Sequence, residues 1–226
     1  MRLEQELSLL RLRVLEMAGL VRIAADSSIR ALHTGDVDLA ARIVDGDAII
    51  DNLDLEIDDH CFRLLALAQP WAKDLRFIVA VIRACVHIER CGDEAVTIAR
   101  TVDFLSSREP LPASFTGALA LLDDHAEHSL DMLHKAVDAL RESDVRLAQV
   151  VRGMECRCEE KDVLVLKAFI DAMGGADTPS MERCVRRLNV SRAVTRIGKL
   201  SSNLAEGVLF IVEGKEARHR PVECDE

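Results

Sequence analysis

Aromatic side chains are nearly missing from this chain of 226 residues: they make up 3% of it, with one Trp and no Tyr. The core that such a length can bury must then be built from Leu, Val, Ile and Ala. Those residues interlock well between helices, and the scarcity of rings disfavours a β-sandwich. Proline is scarce too, at five, so long helices would meet few breakers. No apolar run approaches the ~18 residues of a membrane span. The opening residues lack a basic stretch followed by an apolar one, so a signal peptide is not expected. A Lys/Arg block is also lacking. With 39 acidic against 29 basic side chains the formal net charge is −10. Nucleic acid is therefore not an expected partner, because phosphate neutralisation supplies most non-specific affinity; cations and basic protein surfaces are. The seven cysteines are odd in number and form no C-x-x-C pair. They read as reduced, core-filling thiols of a cytoplasmic protein.

What is present is helical periodicity, almost without interruption. Leu3, Leu7, Leu10, Val14, Met17, Val21, Ala24, Ser28 and Ala31 recur at spacings of four and three, which predicts one long amphipathic helix. Gly35 is placed to stop it and Asp36 to cap the next. A second stripe runs from Ile43 to Ala68 and ends at Pro70; a third runs from Leu75 to Ala99. Pro110 and Pro112 mark a boundary. A fourth helix follows, then a fifth over about 144–172, and a sixth over about 180–213 closing at Gly214.

The halves are related. Asp36, Leu39, Ala40 and Ile43 match Asp144, Leu147, Ala148 and Val151 at an offset of 108. Leu75, Ile82, Gly92 and Ala99 match Met181, Leu188, Gly198 and Ala205 at an offset of 106. The expected fold is all-α: tandem duplicated three-helix bundles of six long antiparallel helices, over 1–107 and 113–219, with a tail at 220–226.

Acids occupy packing positions. Asp47 and Asp54 fall on the second stripe and Glu89 on the third, and helical neighbours complete two i,i+4 pairs, Asp47/Asp51 and Glu89/Asp93. Brought together by antiparallel helices, four carboxylates would repel one another and resist desolvation. They need protons, Arg or Lys partners such as Arg83, Arg90 or Lys73, or a bound cation. A carboxylate set without His suits Mg²⁺, Mn²⁺ or iron. The 108 offset carries Asp47 and Asp51 onto Glu155 and Glu159, whereas the 106 offset carries Glu89 and Asp93 onto Thr195 and Lys199. The second site is thus expected to be degenerate, with Lys199 neutralising Glu155 or Glu159 in place of a metal. His125 and His128 read as part of a solvated polar face, Trp71 as closing an inter-helix turn, and Asp74 with Arg76 as a structural cap and salt-bridge pair. No phosphate-binding loop, nucleophile elbow, H-E-x-x-H or di-iron Glu-x-x-His motif is found, so no enzyme is expected.

Gln69-Pro70-Trp71-Ala72-Lys73-Asp74-Leu75-Arg76, with Ile88-Glu89-Arg90-Cys91-Gly92-Asp93-Glu94-Ala95, resembles the PhoU pattern Q-P-x-A-x-D-L-R … L-E-R-I-G-D-x-A. Thr195-Arg196-Ile197-Gly198 and Asn203-Leu204-Ala205-Glu206 are similar to the family's repeat of it, and Phe210 to His219 to its close. The resemblance implies a cytoplasmic homodimer that negatively regulates phosphate uptake and phosphate-starvation signalling. Its implied partners are the ATPase subunit of the phosphate ABC transporter and a phosphate-sensing histidine kinase, with the membrane met only through them. It also implies metal bound through acid-x-x-x-acid motifs, here Asp47, Asp51, Glu89 and Asp93. No cofactor is required on this reading, and iron, manganese, magnesium or zinc is the set to consider. The alternatives are a carboxylate-metal storage or redox bundle and a chaperone-like regulator of another transporter.

Overall fold

The computed structural model describes residues 3–174 and 176–214. The residues assigned to the closing motif after Gly214 and to the tail, with Cys224, lie outside them. Among the described residues there are seven α-helical segments: α1 (Leu3–Thr34), α2 (Val37–Leu67), α3 (Ala72–Ser106), α4 (Thr116–Glu142), α5 (Val145–Gly153), α6 (Glu155–Ala172) and α7 (Thr178–Glu213). A 3-10 turn, Ala113–Phe115, leads into α4. No strand occurs among the described residues.

The same turn chemistry joins the first helix to the second in both halves. Gly35 enters the left-handed region at φ 67°, and the Asp36 carboxylate then accepts from the Leu39 N–H at 2.8 Å to cap α2. Ser143, the counterpart of Gly35, takes φ 55°. Asp144 beside it accepts from the N–H groups of Arg146 and Leu147 at 2.8 and 3.1 Å. The strain of a non-glycine residue there is met by Arg11, whose guanidinium donates to the Ser143 hydroxyl at 2.7 Å. Asp177 caps α7 by accepting from Ser180 N–H, with Pro179 in the first turn.

The six long helices expected from the sequence are present, the fifth with one interruption. The fifth helix is divided into α5 and α6 at Met154. Gly153 weakens the helix there, and His128 Nε2 lies 3.0 Å from the Met154 carbonyl oxygen, drawing it toward α4.

α1, α2 and α3 pack on one another, as do α4, α6 and α7, with α5 set against α4 and α7. The halves meet through α3 against α7 and α1 against α4, and one core runs through both, with a smaller separate cluster of Ala31, Ala40, Ile43, Val96, Ala99 and Val102 between α1, α2 and α3. That core is aliphatic, as the composition requires, with Phe115 and Phe169 as its buried rings, 6.3 Å apart. Cys61, Cys85, Cys91, Cys158 and Cys184 are buried free thiols; burial pushes Cys61 up to about 12, which leaves it inert at neutral pH.

Arg183, buried on α7, ties down the crossing between halves. Its guanidinium donates to the carbonyl oxygens of Glu109 and Pro110 and to Ser180 Oγ.

Candidate metal centre and its counterpart in the second half

α2 and α3 lie side by side with Gly92 at their contact. A Cβ placed at Gly92 would stand 3.5 Å from Ile50 on α2 and 3.6 Å from Val21 on α1, an ordinary packing distance. The helices carry their acids out of this seam. Asp47, Asp54 and Glu89 are half-buried, while Asp51 and Asp93 are exposed at its mouth.

The electrostatics tie the set together. Burial is the main reason the Asp47 carboxyl sits above its ordinary range; Asp51 and Asp93 add to the rise, and Arg100 opposes it. Glu89 is raised first by burial, then by Asp93, Asp54 and Asp51, against Arg90. Asp54 is raised by burial, then by Asp58 and Asp51. The four acids singled out from the sequence therefore feel one another across the α2–α3 seam. Asp54 and Asp58 extend the row along α2, at helical spacings of three and four. Among the described residues no group of three or more His, Cys, Asp or Glu side chains stands in an arrangement that would hold a metal ion. The donor chemistry nevertheless suits a hard cation. Only carboxylate oxygens are offered, and each raised carboxyl marks a place where added positive charge lowers the energy.

The second half places different chemistry at matching positions. Lys199 Nζ lies 2.7 Å from Glu159 Oε1. Ser202 donates to Glu155 Oε2 at 2.5 Å, and Ser191 donates to Asp162 at 2.9 Å. Lys161, buried on α6, reaches Asp124. Hydrogen bonding to Glu159 is the first cause of the raised Lys199 pKa.

His125 is not on a solvated face. It is fully buried, with Nε2 2.9 Å from Thr195 Oγ1. Burial pushes its pKa down to about 4, so the ring is neutral at physiological pH. An apolar-stripe count passes over such a residue, because a neutral histidine with one hydrogen bond packs like an apolar one. The offset of 108 carries Met17 onto His125 and would have placed it in the core.

Two further placements differ from expectation. Trp71 closes nothing by packing: it is 82% exposed, and α3 begins at it without a side-chain cap. Gln69 and Ala72 on either side hold φ of 44° and 40°, left-handed conformations uncommon for such residues. The Arg76 guanidinium lies against Gly214, whose φ of 71° is the left-handed conformation that favours glycine at that end of α7.

Comparison with known proteins bears on both halves at once. The PhoU domain matches residues 14–102 and again 122–208. The phosphate-specific transport system accessory protein PhoU of Edwardsiella tarda is 31% identical over 216 residues, 95% of this chain and 86% of that protein. The corresponding protein of Escherichia coli K12 is 29% identical over the same shares. The crystal structure of PhoU from Pseudomonas aeruginosa superposes with a TM-score of 0.88 at 28% identity, covering 95% of this chain and all of that one. A phosphate transport system regulatory protein PhoU from Streptococcus pneumoniae, at 24% identity and a TM-score of 0.85, has the same fold. No described helix is long and apolar enough to cross a membrane. The duplicated helix triplets, the twice-matched domain and relatives that align along nearly the whole chain place this protein in the PhoU family.

Proposed function

We propose that this protein is a cytoplasmic, non-enzymatic regulator that restrains phosphate uptake and phosphate-starvation signalling. The observation carrying this reading is that both helix triplets, and not one alone, align with proteins named for accessory service to a phosphate-specific transport system. It would act through contacts made by its long helical faces with the ATPase subunit of a phosphate ABC transporter and with a sensor histidine kinase, as a homodimer. Asp47, Asp51, Glu89 and Asp93 would hold a divalent or iron cation, which would supply the positive charge their mutual repulsion calls for. In that role Asp47 and Asp51 of α2 and Glu89 and Asp93 of α3 would supply the oxygen ligands, and a cation held between them would link the two helices.

Deleting the protein should raise phosphate uptake, or starvation-gene expression, in phosphate-rich medium. A pull-down from the same cells should recover the ATPase and the kinase. Uptake and expression unchanged by deletion would overturn the regulatory reading. Tightly held redox-active iron with oxidase activity would favour the storage or redox alternative instead.

A further inference from the structure

We propose that the second bundle carries its own counter-ions, Lys199 above all, and so is closed to metal, leaving any ion-responsive site to the first bundle alone. This rests on the reading that the first-bundle carboxylates hold a cation.

The duplication lets each position serve as a control for its partner. Asp47 matches Glu155, which receives a hydrogen bond from Ser202; the first-half residue matching Ser202 is Val96, which has nothing to donate. Asp51 matches Glu159, paired with Lys199; the residue matching Lys199 is Asp93, a like charge. Asp54 matches Asp162, which accepts from Ser191; the residue matching Ser191 is the buried thiol of Cys85, a weak donor. At these matching positions each acid is thus met by a donor from α7 in the second half, and by an apolar, acidic or weakly donating group from α3 in the first, where Arg100 and Arg90 of α3 oppose the rise at Asp47 and Glu89 through their charge.

The fourth ligand position has been lost as well. Thr195 stands where Glu89 does, and its hydroxyl is spent inside the core, donating to the Ser191 carbonyl at 2.9 Å and standing 2.9 Å from His125. An ion entering beside Glu155 and Glu159 would have to displace the Lys199 ammonium that stands 2.7 Å from Glu159 Oε1, and would be repelled by that ammonium. Lys161, where the first half has Leu53, adds a second ammonium at the same level as Asp162. The residues present therefore do not fit the metal that the fold family implies for this half.

The test restores the first-half residues to the second half. The full chain, stripped with chelator, is titrated with Mn²⁺ and bound ion is counted by the loss of the free-ion EPR signal. The wild type should show a single class of sites, and D47N/E89Q should lose it. T195E/K199D should roughly double the Mn²⁺ bound, and D47N/E89Q/T195E/K199D should keep only the new class. Equal occupancy of both halves in the wild type would overturn the inference, as would no gain in T195E/K199D. Should the wild type bind nothing while T195E/K199D does bind, the first-bundle reading fails and the part played by Lys199 stands. Because four unneutralised acids could prevent folding, Lys199→Gln provides a milder variant. It should melt lower than the wild type in chelator and regain stability with Mn²⁺, and a melting temperature unchanged in both conditions would overturn the proposal.

Discussion

Gly92 and Gly198 occupy equivalent places on α3 and α7, yet alanine should act on them in opposite directions. A Cβ at Gly92 would meet Ile50 Cδ1 at 3.5 Å and Val21 Cγ2 at 3.6 Å, ordinary van der Waals contact. At Gly198 it would meet Cys158 Sγ at 2.6 Å, with Ser129 Oγ at 3.3 Å and Met132 Sδ at 3.4 Å. Cys158 matches Ile50 and Ser129 matches Val21, so smaller side chains in the second half have let α7 settle closer to its neighbours. Replacing a helix-interior glycine by alanine gains about 0.5–1 kcal/mol of helix propensity at either site. At Gly198 the buried thiol cannot swing away freely, and overpacking of this kind costs about 1–3 kcal/mol. The propensity gain is common to both variants and cancels in their comparison. Gly92→Ala should then exceed Gly198→Ala in stability by about 1–3 kcal/mol, or roughly 2–4 °C in Tm per kcal/mol for a chain of this size. Urea unfolding at constant m-value measures it. Cys158→Ala in the Gly198→Ala background should recover part of the loss and give a favourable coupling in the double-mutant cycle. Equal shifts for the two glycine variants would refute the packing argument.

Three other outcomes follow from the polar groups. Asp47, Asp54 and Glu89 are held above their ordinary pKa, so the folded chain takes up protons more readily than the unfolded one and gains stability as pH falls toward the carboxylate range. Asp54→Asn should therefore raise Tm at pH 7 in chelator and flatten the rise seen on acidification. His125 has the opposite sign. Lowered from 6.5 to about 4, it contributes fully above pH 6.5 and withdraws about 3 kcal/mol as pH falls through that window. His125→Met, which installs the first-half residue, should remove that limb of the urea-measured stability profile. Arg183→Ala should cost about 2–4 kcal/mol, since it frees two linker carbonyls and Ser180 from a buried guanidinium. It should also speed proteolytic cleavage within 107–112.

The helices and the repeat were legible because their signals are redundant. Each stripe spans many turns, and a cap such as Asp36 recurs as Asp144 in the same local setting. The acids were legible for the converse reason: a carboxylate on a packing position breaks the pattern that surrounds it. What escaped were features set by neighbours distant in sequence. His125 looks polar until Thr195, seventy residues on, gives its ring a partner in the core. The break at Met154 depends on His128 reaching across from α4. Trp71, beside Pro70, suggests a side chain that closes an inter-helix turn, yet in the turn flanked by left-handed Gln69 and Ala72 it stands in solvent.

A duplicated chain supplies a way past this limit. An offset established on α2 and α3 holds for α1 and α4 as well, where the buried residues Leu10, Val14, Met17, Ala18, Val21 and Ala25 map onto Ala118, Leu122, His125, Ala126, Ser129 and Leu133. Four of those six pairs stay apolar, which fixes the register; the other two exchange an apolar residue for His125 and Ser129, and both new polar groups face residues that have changed in step. Thr195, where the first half has Glu89, lies 2.9 Å from the first, and Cys158, where the first half has Ile50, lies 3.5 Å from the hydroxyl of the second. Paired change across a packing contact is what a core tolerates, because a lone polar substitution would leave an unsatisfied group costing about 1–3 kcal/mol. The two bundles therefore differ as units: the second combines a more polar core with acids met by hydrogen-bond donors from α7, and the first an aliphatic core beneath carboxylates raised by burial and by one another.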